Sequence, residues 1–288
     1  MRRYTAGITV LLLAVAGAIP AMADAKGTLV ITSDTTLTED HDGDVVVDAD
    51  GVTLDCGGHA ISGYDSDEGF GVLLRDVTAV TVKNCNVFGD VVGILIEDSH
   101  DNTIKNNVAI GGDDSAYRID SGTGNTLMGN LARDSGSHGF ELAYSSHNTL
   151  LGNTSVNNDD KSPNGAGFAI NDFSHSNVLR SNQATENDSG LLLTTYVSDN
   201  DVIGNAFSGN VTGVVINSFS TGNTLIKNQV TSNTWLGLHA YFFAPDNLLV
   251  GNTICDNGEP GDINLYYGQD SQPIIKNNTE ICGIASGG

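Results

Sequence analysis

Short apolar runs alternate along this 288-residue chain with clusters of Asn, Gly, Ser and Asp, and the pattern recurs at a nearly fixed interval. Asn102–Asn106 reads Asn-Thr-Ile-Lys-Asn, Asn125–Asn130 reads Asn-Thr-Leu-Met-Gly-Asn, and Asn148–Asn153 reads Asn-Thr-Leu-Leu-Gly-Asn. The series continues at Asn177–Asn182, Asn200–Asn205, Asn223–Asn228 and Asn247–Asn252, with intervals of 23, 23, 29, 23, 23 and 24 residues. Weaker copies start at Gly51, Ala79 and Gln272. In each copy one β-branched or Leu-rich run follows the first Asn and a second follows a glycine, as in Gly93-Ile94-Leu95-Ile96, Gly139-Phe140-Glu141-Leu142 and Gly213-Val214-Val215-Ile216. Such runs are strand length, and the polar interruptions exclude the 3.6-residue periodicity of helical repeats.

A coil of that length with two or three short strands stacks on its neighbour at the inter-strand spacing, so equivalent side chains form ladders. The pattern predicts an all-β, single-stranded right-handed parallel β-helix solenoid; about ten coils at ~4.8 Å each would give a rod of roughly 48 Å. The recurring asparagines are expected where strands end, adopting left-handed backbone and bonding the Asn above and below through their amides. Residues 24–50 are expected to form an N-terminal cap, with Thr28–Thr38 covering the first strand edges. Residues 51–288 would then form the β-helix, ending in a cap around Ile281 and Cys282. The longer interval carries extra residues around Asn157–Gly165, expected as a loop on one face.

The N-terminus changes the picture of where this rod works. Met1-Arg2-Arg3, the apolar run Ile8–Ile19 and Ala21-Met22-Ala23 read as a signal peptide over 1–23, too short to span a membrane. The expected location is secreted or periplasmic, without a membrane span. Charge narrows the partners. Loss of Arg2 and Arg3 leaves 10 basic against 35 acidic residues, a net of −25, which makes nucleic acid and anionic membranes poor partners. In an exported chain the four cysteines are expected in disulfides, Cys56 with Cys85 and Cys255 with Cys282, each pair about one repeat apart at opposite ends of the array.

Residues 51–282, through these Asn anchors and Gly-led strands, resemble the right-handed parallel β-helix repeat proteins. That architecture is shared by pectate lyases, polygalacturonases, alginate epimerases and the periplasmic β-helix proteins of nitrous oxide reductase maturation. Gly112-Asp113-Asp114-Ser115 resembles the Gly-Asp-Asp motif of polygalacturonases, and Ser137-His138-Gly139-Phe140 resembles their Gly-His-Gly motif. The resemblance implies a catalytic set of Asp113, Asp114 and His138, with Asp90 as a third carboxylate, in an inverting hydrolase. The family's later basic tripeptide is absent: the corresponding strands read Phe168-Ala169-Ile170-Asn171 and Leu191-Leu192-Leu193-Thr194.

Alternation counted from the anchors places Glu97, Arg118, Asp120 and Glu141 outside one sheet on consecutive coils. A uronan lyase would use such a group, with Ca²⁺ on Glu97 and Asp120 and with Arg118 as base or clamp; an exposed ion-pair ladder is the competing structural reading. Arg118, Glu141, Tyr144, Tyr241 and Tyr266 are the expected substrate contacts, the tyrosines offering rings to sugar faces. Trp235, Tyr241, Phe242, Phe243, Tyr266 and Tyr267 also fit packing of a terminal loop. His100, His147 and His175 each sit just before an anchor and could hold copper or zinc, or serve as turn residues. Asp40-His41-Asp42-Gly43-Asp44 alternates carboxylates as calcium loops do, with its glycine out of place. Two functions follow: a monomeric protein that binds and cleaves a polysaccharide, with Ca²⁺ as the candidate cofactor, or a non-catalytic module for metal handling or surface interaction.

Overall fold

The computed structural model describes residues 27–63, 69–89, 91–158, 165–241, 244–266, 274–276 and 281–282. The chain winds as a parallel β-solenoid with three sheets of eleven strands each. The first sheet runs from Leu29–Ile31 to Gly261–Tyr266, the second from Thr35–Thr36 to Ile274–Lys276, and the third from His41–Asp42 to Ile281–Cys282. Every strand pairs with its counterpart one coil away, so the sequence repeat becomes register: Thr103, Thr126 and Thr149 stack on the second sheet, and Ile104, Leu127 and Leu150 stack beside them. The proposed signal peptide lies outside the described residues. Residues 29–47, expected as a cap, themselves supply the first strands of all three sheets.

The interior is filled by those ladders. Ile104, Leu127, Leu150, Leu179 and Val202 are buried beneath the second sheet, while Tyr117, Phe140 and Phe168 stack under the first with ring centroids 4.6 and 5.0 Å apart. Buried asparagines turn the corners. Asn102, Asn125, Asn148, Asn177, Asn200, Asn223 and Asn247 make one ladder, and Asn107, Asn130, Asn153, Asn182, Asn205, Asn228 and Asn252 a second. The Asn153 side chain is typical: Oδ1 accepts from the backbone N–H and Nδ2 of Asn130, and Nδ2 donates to Leu127 O and Asn182 Oδ1.

Two expectations about the anchors need correction. The left-handed residue is the one before the ladder Asn: Asp101, Asn106, His147, Ser176 and Asp199 have φ of 54–57°. The ladder Asn must aim its amide inward, so its neighbour takes the turn. For the same reason Asn107, not Asn106, is the ladder member, and Asn106 is exposed. A third ladder, Asn158, Asn187, Asn210, Asn233 and Asn257, ends on the buried Asp262 carboxylate, which accepts from the amide and backbone N–H of Asn257.

Cys56 and Cys85 form a disulfide with an S–S distance of 2.02 Å. Cys255 is also disulfide-bonded, and Cys282 stands opposite it in register; the side chain of Cys282 lies outside the described residues. In the Asp40–Asp44 stretch, His41 and Asp42 form a strand, and the Asp40 carboxylate accepts the Ala60 N–H at 2.8 Å and contacts His59 at 3.3 Å. Hydrogen bonding to that carboxylate, first by Ala60 and then by His59, holds Asp40 below its ordinary pKa.

Candidate functional site

The outer face of the first sheet carries most of the chemistry. Strand alternation buries Tyr117 and Ile119 and turns Arg118 and Asp120 outward, and register stacks Leu95, Arg118, Glu141 and Ala169 on consecutive coils. Arg118 donates to Asp114 at 3.2 Å and to Asp120 at 3.0 Å, and its Nη1 lies 3.5 Å from Glu141 Oε2. Glu141 is only 7% exposed, and its charge is balanced locally: Ser115 Oγ donates to Oε2 at 2.8 Å and Asn171 Nδ2 to Oε1 at 3.0 Å. Burial works against the guanidinium charge, but the carboxylates of Glu141, Asp120 and Asp114 outweigh it and hold Arg118 above its ordinary pKa. Asn171 leaves its Oδ1 buried without a hydrogen-bond partner among the described residues.

This cluster joins Arg118, Asp120 and Glu141 to Asp114 of the expected catalytic set, and adds Ser115 and Asn171. Asp114 is turned onto Arg118, whereas Asp113 is exposed. Asp90 lies outside the described residues. Glu97 is engaged by Arg75 and Asp120 by Arg118, so arginines stand where a cation was expected on these two carboxylates.

His138 borders the cluster. Its Nδ1 accepts the backbone N–H of Ala166 at 3.0 Å, and because an amide N–H can only donate, the neutral ring carries its proton on Nε2. Burial lowers its pKa, with Glu141 and Asp114 pulling the other way. In this tautomer the imidazole can offer an N–H to a ligand and cannot serve as a base through Nδ1. Because the folded-state pKa lies below the ordinary 6.5, the unfolded chain takes up the proton first as pH falls through that value, and stability is lost there. His138→Asn, which keeps an acceptor for Ala166, should remove that component. Between pH 8 and pH 5 the wild type should lose more stability than the variant in urea unfolding; parallel losses would refute the assignment.

A second feature lies along the turn that follows each strand of this sheet. Tyr144, Phe173, Tyr196 and Phe219 are 58%, 57%, 49% and 45% exposed and stack in sequence with centroids 6.4, 5.2 and 5.0 Å apart. All four have φ between 51 and 64°, a backbone that costs a bulky L-residue about 1–2 kcal/mol. A strained, exposed aromatic on four successive coils makes this edge a candidate site. Asn171, Thr194 and Asn217 run beside the rings as a polar row. On the earlier coils the same turn carries Asp76, Asp98 and Ser121, so the edge changes from acidic to aromatic at Tyr144. Sequence reading singled out Tyr144 alone, although the rings are spaced 29, 23 and 23 residues, the intervals of the anchors themselves.

The remaining candidates disperse. His147 and His175 meet edge to face at 5.8 Å, but bridges from His100 through Thr123 and Ser146 to His175 put His100 three rungs away. Tyr241 and Tyr266 are paired in register; their side chains, and Phe242, Phe243 and Tyr267, lie outside the described residues. Trp235 is exposed and meets His239 edge to face at 5.6 Å.

Residues 30–222 match the family model described as NosD, periplasmic copper-binding protein. No curated protein matches the chain. Among solved structures, a mutant of the periplasmic alginate epimerase AlgG superposes with a TM-score of 0.68 at 15% identity, covering 88% of this chain and 67% of that one. The A-module of the Azotobacter vinelandii mannuronan C-5 epimerase AlgE4 gives 0.58 at 16% identity, covering 88% and 87%. The catalytic domain of a GH87 α-1,3-glucanase gives 0.55 at 14% identity, covering 88% and 63%. At these identities the likeness establishes the fold. Among the described residues no three His, Cys, Asp or Glu side chains gather to hold an ion, Cys56, Cys85 and Cys255 are in disulfides, and the His147–His175 pair has no third ligand. The described residues do not fit a closed copper centre.

Proposed function

We propose that this protein, which belongs to the NosD family of periplasmic copper-binding proteins, is a polysaccharide-binding solenoid of the periplasm or cell exterior, with the outer face of its first sheet as the binding face. The observation that carries the reading is the repeat-spaced ladder of exposed, left-handed aromatics beside the polar row of Asn171, Thr194 and Asn217. Offset-stacked rings present apolar edges and part of their faces, which suit the C–H surfaces of sugars, while amides and hydroxyls suit the sugar hydroxyls. Asn171 Oδ1, without a hydrogen-bond partner among the described residues, adds an acceptor beside the ladder. An extended polymer lying along the rod would meet one ring per rung, about every 4.8 Å. The structural neighbours act on alginate, mannuronan and α-1,3-glucan, which supports a polysaccharide ligand.

The test is retention on a polysaccharide panel in affinity electrophoresis, with Tyr196→Gly/Phe219→Gly as the variant. Glycine relieves the left-handed strain at both positions, so the fold should survive. At about 0.5–1.5 kcal/mol per ring, the double variant should bind the retained polymer about tenfold more weakly. Unchanged retention would remove the ladder from the site.

A further inference from the structure

We infer that this face selects uncharged polysaccharide over polyuronate, and that Asp114, Asp120 and Glu141 set the selection by saturating Arg118; the inference rests on the polysaccharide reading above. A polyuronate presents one carboxylate per sugar and needs unpaired cationic donors, or bridging metal ions, along its track. The strands of the first sheet contain two cationic side chains, Arg75 and Arg118. Arg75 is paired with Glu97. Arg118 faces three carboxylates at 3.0–3.5 Å, so its guanidinium is already occupied and the cluster as a whole carries an excess of two negative charges.

The rest of the track adds no attraction for an anion. Beyond Glu141 the outward positions include Ala169, Asn171, Leu192, Val215, His239 and Asn264, none of which carries a fixed positive charge. On the other side of the cluster, the turn edge carries Asp76 and Asp98. The whole chain has a formal charge of −23, so the long-range field opposes a polyanion before contact. A neutral polymer meets none of these penalties.

Matched polymers isolate the charge. Glucan and mannan would be compared with their C6-oxidised counterparts, glucuronan and mannuronan of equal length, by titration calorimetry in ~0.15 M salt with EDTA. The neutral member of a pair should bind at least tenfold more tightly. Asp114→Asn/Asp120→Asn, which frees donors on Arg118 with little change of shape, should raise polyuronate affinity and bring the ratio toward one while neutral binding persists. Equal or tighter binding of a polyuronate by the wild type would overturn the selectivity. A ratio unmoved in the double variant would overturn the residue assignment. Binding of neither member of either pair, with silence across the wider panel, would bring down the polysaccharide reading and this inference with it.

Discussion

Replacing Asn153 by alanine should lower the stability of the solenoid by about 4 kcal/mol, from three buried groups left unpaired at about 1–3 kcal/mol each. The deleted amide accepts from the Asn130 backbone N–H and Nδ2, and donates to Leu127 O and Asn182 Oδ1. Asn182 Oδ1 keeps the Asn153 backbone N–H, whereas the Asn130 N–H, the Leu127 carbonyl and an Asn130 amide hydrogen each lose the bond that the deleted amide made in a buried interior. Each coil contacts only its neighbours, so a broken rung weakens both adjoining interfaces. Asn106→Gly is the control: it sits in the left-handed turn, exposed, one position before its ladder, and should be near neutral. Urea midpoints of the two variants would decide the matter, and similar losses would show that the ladders do not hold the fold.

The second large effect is expected at Arg118→Met. The thioether fills the stem of the arginine but leaves Asp114, Asp120 and the buried Glu141 facing one another. Breaking a buried pair costs about 3–5 kcal/mol, and partial exposure of Arg118 and the two aspartates brings the expectation to about 3 kcal/mol at pH 7. The sign of the pH dependence identifies the cause. The penalty exists only while the carboxylates are ionised, so it should shrink on acidification. Adding Glu141→Gln to the variant should recover much of the loss at neutral pH. A pH-independent loss would point to packing instead of charge.

The fold was legible because the anchors and Gly-led strands repeat at the period of the solenoid, and stacking in register turns that period directly into ladders. The grouping of Arg118, Asp120 and Glu141 was legible for the same reason: strand alternation and register fix which side chains are neighbours. What escaped lies in the turns. Nothing in alternation distinguishes Asn106 from Asn107, and only the inward demand of the amide ladder assigns the left-handed position to the first of them. Phe173, Tyr196 and Phe219 sit two or three residues beyond the ends of their strands, where strand periodicity gives no direction. Ser115 and Asn171 complete the shell of Glu141 from a turn and from the next coil, a contact set by side-chain reach.

Hydroxyl-radical footprinting of the full chain, with and without saturating polymer, tests the binding face most directly because exposed aromatic and thioether side chains are the reactive groups. The account predicts protection of Tyr144, Phe173, Tyr196 and Phe219, with Met128, exposed on the second sheet, labelled equally in both states. Unchanged labelling of the four rings under saturating polymer, or protection centred on Met128, would contradict it.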